Sequence, residues 1–182
     1  MGTIKATNIE PIADNGTVTL GSSGDQFTLA TGAKSSFLYP AFEAYLSSDQ
    51  TLTNATVTKV QFDTKVFDTD NCYDNSTNYR FTPTVAGKYY VFVNLKHQSS
   101  SADGVVAGYS HIYKNGSSYK RTQFNTNTHQ PSALNVSVNG IIDMNGTTDY
   151  LEGFGYVNQT SGSPRFDAGS LATYFLAYRI GS

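Results

Sequence analysis

The chain has 182 residues, enough for one full core and a short appendage but hardly for two domains. Lys and Arg total 12 against 14 Asp and Glu, a formal net charge of −2, and no window gathers the basic residues, which argues against a nucleic-acid partner or an anionic membrane surface. Only 14% of residues are charged while Tyr and Phe number 13 and 11, a mixture of strand formers and uncharged turn residues that predicts an all-β protein.

Residues 1–36 differ from the rest. Three short β-prone pieces, Thr3 to Ala6, Thr17 to Leu20 and Phe27 to Ala30, are separated by Asp14-Asn15-Gly16, by Gly21-Ser22-Ser23-Gly24 and by Gly32. Each holds too few apolar residues to make a core, so residues 1–36 are expected to form an attachment arm or stem that leans on other proteins, and residues 37–182 a head. No basic region followed by an apolar run opens the sequence, and no stretch approaches the ~20 apolar residues of a membrane helix, so neither targeting nor membrane insertion is expected.

The head reads as a series of short strands. Ala41 to Leu46, Leu52 to Phe62 and Thr64 to Phe67 lead into the polar run Asp68 to Asn78, DTDNCYDNSTN, expected to be a loop. Tyr79 to Thr82 then turns through Pro83 and Gly87 into a long strand, Gly87 to Gln98, whose Tyr89, Val91, Val93 and Leu95 share one face. Val105 to Lys114 and Ser118 to Phe124 form a hairpin across Asn115-Gly116; Leu134 to Val138 and Ile141 to Met144 are expected to form another across Asn139-Gly140. Asp149 to Val157 and a closing strand, Leu171 to Ile180, complete about ten antiparallel strands with regular turn signals and no helical period: a jelly-roll β-sandwich.

Two of these strands are apolar on both sides. Behind Tyr89 and Val91 stand Tyr90 and Phe92; in the closing strand Tyr174, Leu176 and Tyr178 alternate with Phe175 and Ala177. A strand apolar on both faces is covered on both. The opposite sheet covers one face, and a neighbouring copy is expected to cover the other, which places Tyr90, Phe92, Tyr174, Leu176 and Tyr178 in a homotrimer interface.

Phe62, Asp68, Tyr73, Phe81, Gly87 and Tyr89 form an ordered aromatic and glycine series that resembles the motif of the C1q-like family, the trimeric jelly-roll superfamily that also takes in the tumour-necrosis-factor heads. One extra residue lies between Tyr73 and Phe81, and Val91 and Val93 stand where the family prefers aromatics. The stretches HIYKNGSSY, TTDYLEGFGYV and SLATYFLAYRI resemble later family strands, so the resemblance runs from about Ala41 to Ile180. It implies a trimeric head. The stretch NGTVTLGSSGDQFTLATGA is similar to stem segments of marine tailed-phage structural proteins, which implies a place on a virion.

Catalytic signatures are absent from the sequence. There is no Gly-x-Ser-x-Gly elbow, His97, His111 and His129 have no local signature, and Asp143, Asp149, Glu152 and Asp167 sit at ordinary turn or strand positions. Cys72 is alone and cannot form an intrachain disulfide. Asp68, Asp70 and Asp74, with Asn71 and Asn75, make an oxygen-rich run that could suit calcium, although Tyr73 and Tyr79 occupy the positions where an EF-hand needs glycine and glutamate. Exposed Tyr, Asn and Ser at loop tips suit sugar or protein contacts, and the polar loops that carry them nominate Tyr119, Phe124, Asn125, Asn127, His129 and Arg165 as receptor-binding residues. The expected function is a non-enzymatic, homotrimeric tail-fibre or fibre-tip protein of a tailed phage, contacting a host-surface glycan or protein and joined to other virion proteins through residues 1–36. The alternatives are a capsid decoration protein gripped by the same arm, and a secreted cellular C1q-like ligand.

Overall fold

The computed structural model describes residues 39–102, 104–126 and 129–181; the expected arm and its boundary lie outside them, as does Asn127. Strand order is β1 (Ala41–Tyr45), β2 (Gln50–Thr51), β3 (Thr58–Lys59), β4 (Thr64–Asp68), β5 (Tyr73–Asp74), β6 (Arg80–Phe81), β7 (Gly87–Ser99), β8 (Val105–Lys114), β9 (Ser117–Asn125), β10 (Ala133–Met144), β11 (Leu151–Gln159), β12 (Pro164–Phe166) and β13 (Tyr174–Gly181). No helix occurs among the described residues.

The strands make two antiparallel sheets packed face to face, a jelly-roll sandwich. The first has seven strands, in the order β2-β12-β7-β13-β1-β4, with β10 along the other edge of β7. The second has six, β5-β6-β11-β8-β9, with β3 also on β11. The alternation in Gly87–Ser99 makes β7 the spine, because it is long enough to pair with β10 along its whole length and with β13 and then β12 on its other side. Phe42 of β1 sits at the centre of the core, fully buried, with rings of Tyr73, Phe81 and Phe175 at 4.5, 4.6 and 4.8 Å. The sheets come close enough at β11 that a Cβ on Gly153 would stand 2.7 Å from Phe62, and one on Gly155 would collide with Phe166.

Four local expectations are corrected. Asn139-Gly140 is not a hairpin turn: β10 runs straight through it, with Gly140 opposite Val91. The phase of Val136, Val138, Ile142 and Met144 is continuous across the pair, all four being buried, and a two-residue turn would have reversed the chain there. The expected strand Leu52 to Phe62 shrinks to β3, because Ala55 adopts a left-handed φ of 55° and residues on either side reach β11 singly, Ala55 N–H donating to Val157 O and Val60 N–H to Gly153 O. The polar run contains β5, paired with β6 through Tyr73 and Phe81. The closing strand begins at Tyr174, since Leu171 lies in a turn and is 94% exposed.

His97, on the inward face of β7, is fully buried between Phe124 and Phe166, its Nδ1 and Nε2 each 3.1 Å from a carbonyl oxygen, those of Leu95 and Tyr109. Burial is the main cause that lowers its pKa from 6.5 to about 4, so the folded state takes up its proton later than the unfolded chain does. The stabilisation is therefore whole above pH 6.5 and is lost as pH falls toward 4, about 3 kcal/mol in all. His111 is shifted in the same direction, so the contribution of His97 is the difference between two proteins. Urea midpoints measured between pH 7 and 4 are expected to fall more steeply for the native chain than for His97→Asn; parallel slopes would contradict this.

Candidate assembly and binding surfaces

The six motif positions, four aromatics with Asp68 and Gly87, have structural places. Phe62, Tyr73, Phe81 and Tyr89 are buried in the core. Tyr73 donates its hydroxyl to Phe62 O at 3.1 Å and Tyr89 its hydroxyl to Val85 O at 2.7 Å, and burial pushes both phenols above their ordinary range. Gly87 has a φ of 144°, and a Cβ there would meet the Arg179 guanidinium at 2.8 Å. Asp68 closes the β4–β5 loop: its carboxylate accepts the N–H groups of Cys72 and Tyr73 at 2.9 and 3.1 Å and pairs with Lys65 at 3.1 Å.

The three calcium candidates are used separately. Asp68 is spent as described, and Asp70 accepts from the Thr69 hydroxyl. Asp74 accepts the N–H groups of Ser76, Thr77 and Asn78, bonds that hold its pKa well below the carboxylate range. No group of three or more His, Cys, Asp or Glu side chains is placed to hold a metal ion among the described residues. Asp68→Ala strands two loop N–H groups and Lys65, and is expected to cost about 2–3 kcal/mol in urea unfolding, with Asp68→Asn recovering part. A loss under about 0.5 kcal/mol, the size of an ordinary surface substitution, would contradict that role.

All five residues nominated for self-association lie on the outward face of the first sheet, where the register aligns them in cross-strand rows. One row reads Ile141, Tyr90, Tyr178, Ala41, and the next Asn139, Phe92, Leu176, Glu43, Phe67. Tyr90 packs on Tyr178 at 5.5 Å, and Phe92 stacks on Tyr174 at 5.6 Å. Much of this face stays open in the protomer: Ile141 is 56% exposed, Phe67 45% and Tyr178 38%. A cleft of about 320 Å³ between Tyr39, Ala41, Phe67 and Tyr178 extends it. Further along β7 the face turns polar, with Lys96 paired to Asp167 at 2.8 Å.

The receptor-binding candidates are not brought together. Asn125 and His129 lie exposed at the end of the sandwich that carries the β9–β10 connection. Tyr119 is half-exposed near the other end of β9, about 20 Å away at strand rise. Phe124 points inward, its ring 5.5 Å from that of His97, and Arg165 is held by Asp49 and Asp167 at 3.0 and 2.7 Å.

Sequence reasoning passed over a second surface, the outward face of the second sheet. Tyr109, His111 and Tyr113 of β8 stand beside Phe154 and Tyr156 of β11: Tyr109 stacks on Tyr156 at 4.2 Å and 6°, and Tyr113 meets Phe154 at 4.1 Å. Arg121 of β9 lies 5.2 Å over the Tyr109 ring. The signal was present in the sequence as aromatics at alternate positions 109, 111 and 113, on the phase opposite to the buried Ser110 and Ile112.

No family model and no curated protein sequence matches the chain. Solved structures do share its fold. The globular domain of zebrafish complement 1qA protein superposes with a TM-score of 0.53 at 15% identity, over 78% of this chain and 96% of that one. Murine APRIL at pH 8.0 gives a TM-score of 0.56 at 8% identity, over 77% and 98% of the two chains. Murine APRIL at pH 5.0 gives 0.53 at 11% identity, over 77% and 99%.

Proposed function

We propose that this chain is the protomer of a homotrimer forming a non-enzymatic binding head on the surface of a tailed-phage particle, at a tail fibre or its tip, where it contacts a host-surface glycan or protein. The observation that carries the reading is the outward face of the first sheet. A continuous patch of Tyr90, Phe92, Leu176, Tyr178, Ile141 and Phe67 is larger and more apolar than single scattered surface residues, and such patches mark contact with another protein. A copy of the same chain is the natural occupant, since closed symmetric assembly buries one patch on every subunit. Threefold display then multiplies weak individual contacts.

The virion placement is supported by the likeness of residues 1–36 to phage stem segments and by the low charge of the chain. The fold shared with a complement globular domain and with APRIL favours a second reading, a secreted extracellular ligand. Gold labelling of intact phage particles with antibody against this chain separates the readings. Label at fibre or tail tips is the expected result. Label spread over the capsid would instead make this a decoration protein anchored by residues 1–36, and particles without label would remove it from the virion.

A further inference from the structure

The two outward faces of the sandwich are chemically unlike. The first exposes aliphatic and aromatic carbon; β8 and β11, at the centre of the second, expose no large apolar side chain. Their rings pack on one another instead and leave phenol groups and cations at the surface. Tyr109, Tyr113 and Tyr156 supply the hydroxyls. His111 lies among them only 4% exposed, its Nδ1 3.3 Å from the Ser118 hydroxyl and its Nε2 without a hydrogen-bond partner, an orphan that calls for explanation.

The charge on this face is positive. Arg121 lies over Tyr109 and Arg80 over Tyr150 at 4.6 Å, and neither has a carboxylate within 4.0 Å among the described residues. Arg80, Arg121 and Lys59 outnumber the carboxylates of Glu152, which is paired with Lys59, and of Asp74, which lies opposite Arg80 in β5 and is held ionised by its backbone N–H bonds. Arg80 and Arg121 stand on strands three places apart, β6 and β9, a lateral separation of about 14 Å.

We infer that the outward face of the second sheet is a binding site for a linear acidic glycan, whose carboxylates lie against Arg80 and Arg121 and whose hydroxyls bond the intervening tyrosines. A polyhydroxylated chain suits the face because its hydroxyls match the Tyr113 phenol and the hydrogen-bonding capacity that Tyr109, Tyr156 and Ser118 keep beyond their mutual and His111 contacts, which an apolar protein partner would leave unused. The spacing of the two cations suits an oligosaccharide rather than a single sugar. Binding here goes beyond the loop contacts proposed above and needs no residue of the trimer face.

Titration of the full chain with alginate, a linear polyuronate, and with neutral dextran tests this. Alginate is expected to bind and dextran not to. Arg121→Gln, an exposed position that leaves the core intact, and Tyr113→Phe, which removes one hydroxyl, are each expected to weaken alginate binding, about tenfold for the arginine. Lys88→Gln, which removes the same charge from the first sheet, is expected to leave it unchanged. Equal losses in Arg121→Gln and Lys88→Gln would reduce the effect to net charge and overturn the inference. Loss on Asn125→Ala and His129→Ala but not on Arg121→Gln would also overturn it, while leaving loop-borne host recognition standing. No binding of alginate would overturn it as well, and host-cell adsorption by the same protein would then show whether the wider reading survives.

Discussion

Leu176→Asp is expected to convert the protein from a trimer to a folded monomer. Leu176 lies on the outward face of β13, opposite Phe92 on one side and Glu43 on the other, and takes no part in the core. In the free protomer an aspartate there can reach water. In a trimer it would place an unpaired carboxylate among Tyr90, Tyr174 and Tyr178 of each subunit, next to Glu43, at a cost of several kcal/mol per copy. The cost is paid three times in one assembly, more than a micromolar trimer withstands. Far-ultraviolet circular dichroism should be unchanged while sedimentation reports the smaller species. A trimer persisting in Leu176→Asp would move the interface elsewhere, and Asn139→Asp, near the edge of the same face, is expected to weaken association less.

Phe42→Ala is expected to cost about 3–5 kcal/mol, the usual range for removing a buried phenylalanine. Phe42 is fully enclosed and touches rings from β5, β6 and β13, so its loss leaves a cavity walled by Tyr73, Phe81 and Phe175, which β strands hold apart and cannot easily collapse. Against the 5–15 kcal/mol that stabilises an ordinary domain, this is a large fraction. The melting temperature should fall by about 10–15 °C. A fall of under about 3 °C would mean that the ring cluster is not the centre of the core.

The two predictions differ in how much of their basis could be read from sequence. Alternation through Gly87–Ser99 fixes which side chains of β7 face the core, and the apolar residues on its other side lead one to expect a covered face; the structure places Tyr90, Phe92, Tyr174, Leu176 and Tyr178 together there. The Phe42 cluster needed more. It joins β1 to β5, β6 and β13, far apart in the chain, and no local pattern states that Tyr73, in the middle of a polar run, is a core residue.

Turn chemistry failed where tertiary pairing competed with it. Asn115-Gly116 makes its hairpin, with φ values of 53° and 76°, whereas Asn139-Gly140 is drawn into a straight strand by continuous pairing with β7. Loop-tip reasoning failed at Phe124 for a related reason. In β9 the inward phase includes Phe124, which packs on His97, so strand alternation outweighs closeness to a polar loop. The aromatic face of the second sheet escaped notice because its rings fall on the outward phase, where sequence patterns lead one to expect ordinary polar residues.

Sedimentation velocity of the unmodified protein over a range of concentrations tests the central claim, that the outward face of the first sheet is buried between three copies. A single species of about three times 19.7 kDa, unchanged on dilution to low micromolar, is the predicted result. A species of 19.7 kDa throughout, or one of twice that mass, would contradict it.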